Sequence, residues 1–206
     1  MRTAWVVLFG IIASTGRVVN FDNGPVGKTP SDWMSVATHG RSCKWEIRRD
    51  TSAATQPYVF AQVAADPGDH VPLAIFTPMS LRDGEVSVRI KPVSGHDCKG
   101  GGLVWRYRDE NNYYLARASA AEKNVAVYRV QNGQRIPLLA MARHDIPAND
   151  WSILKVALRG SRFQVYLDHR RILQGWDNTY TGFGRVGLCT VGDSVAYFDD
   201  FRVYPK

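Results

Sequence analysis

The chain has 206 residues, 45% of them hydrophobic, and a formal net charge of +7. That length suffices for one sizeable core and suits an all-β sandwich or barrel folded as a single domain. Its Lys and Arg residues are scattered, with no basic run and no nucleic-acid-binding motif beside them, which argues against a nucleic-acid partner.

Met1-Arg2-Thr3 followed by the apolar run Ala4 to Ala13 reads as a secretory signal peptide, too short for a transmembrane helix. The expectation is a signal segment over residues 1–16, the alternative being an N-terminal apolar segment that forms a buried first strand, and one domain over 17–206, secreted or periplasmic, with no membrane partner after cleavage. Cys43, Cys98 and Cys189 are too few for a disulfide framework. In an exported protein one pair can bridge, and spacing does not choose the pair. The absence of a CxxC argues against a zinc ribbon.

Val18 to Asp22 predicts a short first strand, ended by Asn23-Gly24-Pro25. A loop carrying Trp33 follows, then a strand around Cys43 to Ile47. Tyr58 to Val63 and Val71 to Phe76 are two further strands, separated by the turn Asp66-Pro67-Gly68-Asp69. Glu85 to Ile90 alternates as a half-buried strand should, and a loop over residues 92–102 contains His96.

The stretch from Gly100 to Val130 predicts a β-meander, its turns at Asp109-Glu110-Asn111-Asn112 and Ala120 to Asn124. Asn132-Gly133 marks a tight hairpin leading to Ile136. Trp151 to Leu158 and Phe163 to Leu167 flank the turn Arg159 to Arg162. Ile172-Leu173, Val186 to Leu188 and Ser194 to Tyr204 complete the set. More than ten short strands without a trustworthy helical period predict an all-β, two-sheet antiparallel sandwich of jelly-roll type with almost no helix.

If Arg108 sits opposite Tyr113, alternation puts Leu103, Trp105, Tyr107, Tyr114, Ala116 and Ala118 on an apolar face. Val104, Arg106, Arg108, Tyr113, Leu115 and Arg117 then share the other, with Arg129 joining from the third strand. One reading of that second face is a solvated surface whose arginine stems cover apolar area. The other is a ligand floor, in which Arg106, Arg108, Tyr113, Arg117 and Arg129 offer directional donors and a flat ring. Closely packed arginines without interspersed acids favour the floor, and loops near Trp33, His96 and Trp176 are possible further contributors.

The succession GGLVWRYRDENNYYLAR, NVAVYRVQNG, RGSRFQVYLD, DNTYTGFGRVGL and GDSVAYFDDFRVY resembles the concanavalin A-like lectin/glucanase superfamily, with most similarity to laminin-G-like modules and the 3-keto-disaccharide hydrolase domain. The resemblance runs from about Val19 to Tyr204. It implies a jelly roll whose members include glycosidases, lectins and inactive binding modules. The E-x-D-x-x-E pattern of laminarinase-type members is missing, and adjacent pairs such as Asp199-Asp200 point to opposite faces. Ordinary retaining glucanase activity is therefore not expected. The resemblance also implies a possible structural calcium held by Asp199, with Asp22 and the carbonyl of Gly24 brought beside it. The function expected is carbohydrate binding on a concave Arg/aromatic sheet face, the ligand a glycan or sugar derivative. The alternatives are a 3-keto-glycoside hydrolase, for which the sequence supplies no catalytic set, and a non-enzymatic protein-interaction module.

Overall fold

A computed structural model describes residues 15–206, so the proposed signal segment lies outside the described residues apart from its last two positions. Sixteen strands form in chain order: β1 (Arg17–Val19), β2 (Trp33–Val36), β3 (Trp45–Arg49), β4 (Tyr58–Gln62), β5 (Leu73–Leu81), β6 (Gly84–Ser94), β7 (Gly100–Asp109) and β8 (Asn112–Ser119). There follow β9 (Asn124–Gln131), β10 (Gln134–Pro137), β11 (Ala142–Arg143), β12 (Ser152–Arg159), β13 (Arg162–Leu167), β14 (Arg170–Trp176), β15 (Gly184–Cys189) and β16 (Val195–Pro205). They build two antiparallel sheets. One runs β14-β13-β12-β6-β16-β4-β3 with β1 beside β16, the other β10-β9-β8-β7-β15-β5-β2 with β11 beside β9. The all-β sandwich is as the sequence predicts.

The main core lies between the sheets. Val86, Val88 and Ile90 of β6, Leu154, Val156 and Leu158 of β12, and Phe198, Phe201 and Val203 of β16 face Leu103, Trp105, Tyr114, Ala116, Val186 and Leu188. The β6 and β12 sets recur at period two, as a half-buried strand requires, while a bulge between Asp199 and Arg202 sets Phe198 and Phe201 three apart on β16. Trp33 does not sit in a loop. It opens β2 and is buried among Phe21, Phe60, Phe76 and Phe201, with ring centroids 4.9–5.6 Å away. Its ring is a core anchor, so it is not available to a ligand.

The second sheet is buried on its outer face as well. Val71, Leu73, Ile75, Val104, Tyr107, Tyr113, Leu115, Tyr128, Val130 and Cys189 form a separate apolar cluster there. Thr38 helps to hold the chain beside it, accepting from the Val71 N–H at 2.8 Å and donating to the Val71 carbonyl at 3.1 Å. All three cysteines are free thiols, Cys98 and Cys189 buried and Cys43 half-buried, so no pair is bridged.

Candidate functional site

The meander forms as expected, and so does the face carrying Leu103, Trp105, Tyr114, Ala116 and Ala118. The register breaks next to the first turn. Asp109 pairs with Asn112 and Trp105 with Tyr114, so three residues of β7 oppose the single residue Tyr113. Such a bulge reorients the side chains within it. Tyr107 turns to the outer cluster, 6.0 Å from the Tyr113 ring, instead of joining the core.

Arg106 lies in that bulge with φ of 51°. It does not join the proposed floor: its buried guanidinium donates to the carbonyls of Gly182 (3.3 Å), Arg82 (3.2 Å) and Gly160. These three acceptors tie together three turns at one end of the sandwich. Arg108 is exposed, its guanidinium carbon 4.6 Å from the centroid of the Tyr180 ring.

Arg129 pairs with Tyr114 across β8 and β9, which puts it on the core-side face and not with Arg117. Its Nη1 donates to Asp177 Oδ2 at 2.6 Å and to Thr179 Oγ1 at 2.8 Å, while Tyr114 Oη donates to Asp177 Oδ1 at 2.5 Å. Burial alone would raise the Asp177 carboxyl, but the bonds from Tyr114 and Thr179 and the charge of Arg129 hold it below the usual carboxylate range.

Arg117 and Tyr113 do share the outer face of the second sheet. Arg117 is already engaged. Its Nη2 forks onto Glu122 Oε1 and Oε2 at 2.8 and 2.6 Å, and its Nη1 donates to Asn124 Oδ1 at 3.1 Å. Although burial pushes the Glu122 carboxyl up, the bonds from Arg117 and Asn124 outweigh it and leave the group below its ordinary range.

The cavity on this face is lined by residues from four separated segments. Tyr113, Val130 and Arg135 form one cross-strand row over β8, β9 and β10. Thr38, His39, Asp69 and Val71 wall it from the loops before and after β3 and β4, and Glu110, Gly133 and Gln134 complete a volume of about 180 Å³. Arg135 Nη2 pairs with Asp69 Oδ1 at 2.5 Å, and its guanidinium carbon lies 5.2 Å from the centroid of the Tyr128 ring. Its Nη1 is buried without a protein partner. The His39 ring nitrogens lie 3.0 and 3.2 Å from the carbonyl oxygens of Asp69 and Gly133, which fastens the loop to the β9–β10 turn. Asn132 and Gly133 hold that turn with φ of 51° and 76°, as Asn-Gly predicts.

Sequence reasoning missed Arg135, His39 and Asp69. The Asn-Gly turn beside Arg135 was the available signal, since a tight hairpin puts its flanking residues back over the preceding strand.

His96 is exposed at the end of the sheet that carries Ser119 and Asn124, away from this cavity. Its Nδ1 contacts Asp97 Oδ1 at 3.1 Å, and that hydrogen bond raises its pKa. Trp176 ends β14 and is 74% exposed.

β1 does lie beside β16, Val19 opposite Phe201. Asp199 is fully buried, accepting from Thr55 N–H (2.7 Å), Thr55 Oγ1 (2.8 Å) and Asp200 N–H (2.7 Å). Asp22 accepts from the Tyr58 N–H at 3.3 Å. A calcium ion takes six to eight oxygens, whereas donors already occupy both Asp199 oxygens. No group of three or more His, Cys, Asp or Glu suited to a metal occurs among the described residues. Asp199, Asp22 and Gly24 are thus arranged as a hydrogen-bonded corner and do not fit the proposed ion.

No protein-family model matches the chain. A levanase of Bacillus subtilis (strain 168) is 31% identical over 117 residues, 56% of this chain and 16% of the levanase. The chain therefore spans about a sixth of that relative. Among solved structures, the carbohydrate-binding module CBM66 from Bacillus subtilis superposes with a TM-score of 0.66 at 23% identity, covering 84% of this chain and 95% of the module. The GH43 protein BlXynB from Bacillus licheniformis gives 0.61 at 14% identity, covering 91% of this chain and 39% of that one. With two antiparallel sheets in this order and these neighbours, the chain shares the antiparallel β-sandwich fold of these solved structures.

Proposed function

We propose that the chain is an exported carbohydrate-binding module that takes a sugar unit in the cavity between His39, Asp69, Tyr113 and Arg135. The observation that carries this reading is the unpartnered Arg135 Nη1. A buried guanidinium N–H without an acceptor costs free energy, and a sugar hydroxyl is an acceptor of suitable size and polarity. Asp69 and Glu110 supply acceptors for the hydroxyl hydrogens, and Tyr113 and Val130 give the floor an apolar part. Cavities that combine an apolar wall with a few fixed polar groups are the usual form of small-ligand sites. The likeness to CBM66 and to a segment of a levanase supports a sugar ligand, and levan is the first polymer to test.

Titration calorimetry against levan and a panel of neutral glycans tests the reading, with Arg135→Ala as the control. Binding that this variant leaves intact would place the ligand elsewhere. Release of free sugar from a 3-keto-glucoside would replace the binding reading with the hydrolase one. The apolar segment Ala4 to Ala13 supports export, and amino-terminal sequencing of the mature protein tests it.

A further inference from the structure

Arg159 and Arg162 face each other across the β12–β13 hairpin, and Arg162 in turn pairs with Trp176 of β14. The next pair inward, Leu158 and Phe163, is buried, so the row Arg159–Arg162–Trp176 stands on the opposite, outer face of its sheet. Like charges directly opposite on neighbouring strands destabilise a sheet. Several other cations on this face are paired, Lys155 with Glu85, Arg89 and Arg202 with Asp200, and Lys91 with Asp50. Arg159 and Arg162 are exposed, and neither has an ion-pair partner among the described residues.

Trp176 adds an apolar ring that is 74% exposed, and Phe183, at the far end of the following loop, is 71% exposed. The loop is fixed in place. The Asp177 N–H donates to the Ser161 carbonyl at 3.0 Å, and Arg106 bonds the carbonyls of both Gly160 and Gly182. The arginine pair and the two exposed aromatic side chains are therefore held at one end of the sandwich in a preset arrangement.

Guanidinium forks bind carboxylate and sulfate groups bidentately, and an indole face offers the flat surface on which a sugar ring stacks. Neighbouring strands lie about 4.8 Å apart, close to the length of one sugar ring, so successive units of an extended chain would meet successive side chains of the row. We propose that Arg159, Arg162 and Trp176 form a second binding surface, separate from the Arg135 cavity, for an anionic glycan chain bearing carboxylate or sulfate groups. Trp176 stacks one ring, and the two arginines hold the acidic groups beside it. This surface does not depend on the sugar reading of the cavity.

The test is affinity electrophoresis of the full chain in gels containing polygalacturonate, dextran sulfate or neutral dextran. Retardation by at least one charged polymer and not by dextran is expected, and the two charged polymers distinguish carboxylate from sulfate recognition. The Arg159→Gln/Arg162→Gln variant should weaken binding about a hundredfold, at roughly tenfold for each charged hydrogen bond lost. Trp176→Ala should weaken it while Arg135→Ala leaves it unchanged, and melting curves should show all four side chains to be dispensable for folding. No retardation by either charged polymer overturns the proposal. So does retardation that survives Trp176→Ala, which marks non-specific attraction by net charge, or one that Arg135→Ala abolishes. Binding to phosphatidylglycerol vesicles without binding to either glycan would assign the surface to membranes instead.

Discussion

Arg117 and Arg135 both lie against the Tyr128 ring, their guanidinium carbons 5.8 and 5.2 Å from its centroid. One is saturated by Glu122 and Asn124, and the other keeps a buried N–H without an acceptor. The pair therefore divides one face into a half whose guanidinium is fully engaged and a half whose guanidinium keeps one N–H without an acceptor.

Replacing each separately should expose that division. Arg135→Ala is expected to weaken glycan binding tenfold to a hundredfold, the worth of a charged hydrogen bond, with little change in melting temperature. Arg117→Ala is expected to cost about 2–3 kcal/mol of stability by leaving Glu122 and Asn124 without their donor. Calorimetric titration and thermal melts of both variants check this; equal losses of stability would refute the division.

Two carboxyls, half-buried Asp177 and buried Asp199, should give opposite pH dependences. Asp177 is held below its ordinary value, so the stability it contributes is complete above that value and is lost as pH falls through the folded one. Asp199 is raised by burial against the bonds from Thr55 and Asp200. Its contribution is therefore complete at low pH and declines as pH rises through the folded value. Melting temperatures measured below about pH 5 should fall less steeply for Asp177→Asn than for the parent. Asp199→Asn should remove the opposing decline.

At Gly184 there is no room for a side chain. A Cβ there would lie 2.4 Å from Arg106 Cα and 2.5 Å from its carbonyl carbon, both backbone atoms that cannot swing aside. Gly184→Ala should cost about 1–3 kcal/mol, a drop of several degrees in a chain of this size. It should also loosen the turns that Arg106 holds, which hydrogen exchange at residues 160 and 182 would register.

Calcium should leave the melting temperature unchanged, and so should a chelator, because Thr55 and Asp200 already satisfy Asp199. A rise of several degrees with calcium would show that those donors give way to the ion.

The alternation from Leu103 to Ala118 was legible in the sequence because period two depends on local pattern alone. The bulge at Arg106 was not, since an arginine at positive φ carries none of the marks that Gly or Asn would give. That one irregularity moved Tyr107 to the other face. Arg129 was misplaced for a different reason: its face depends on the β8–β9 register, and nothing local fixed that register in advance. The Arg135 cavity joins positions 38, 69, 110 and 135, which only the folded chain brings together.

Cys189 sits at zero exposure in β15, opposite Gly102 of β7, and enclosure drives its thiol far above the ordinary range. Only the thiolate is a nucleophile, so an alkylating reagent cannot modify this sulfur while β7 and β15 remain zipped. Mass spectrometry of chains sampled over time would then count separations of the two strands one by one, with half-buried Cys43 reporting shallower opening. The molecule thus carries its own stopwatch for unfolding, readable without a change of residue.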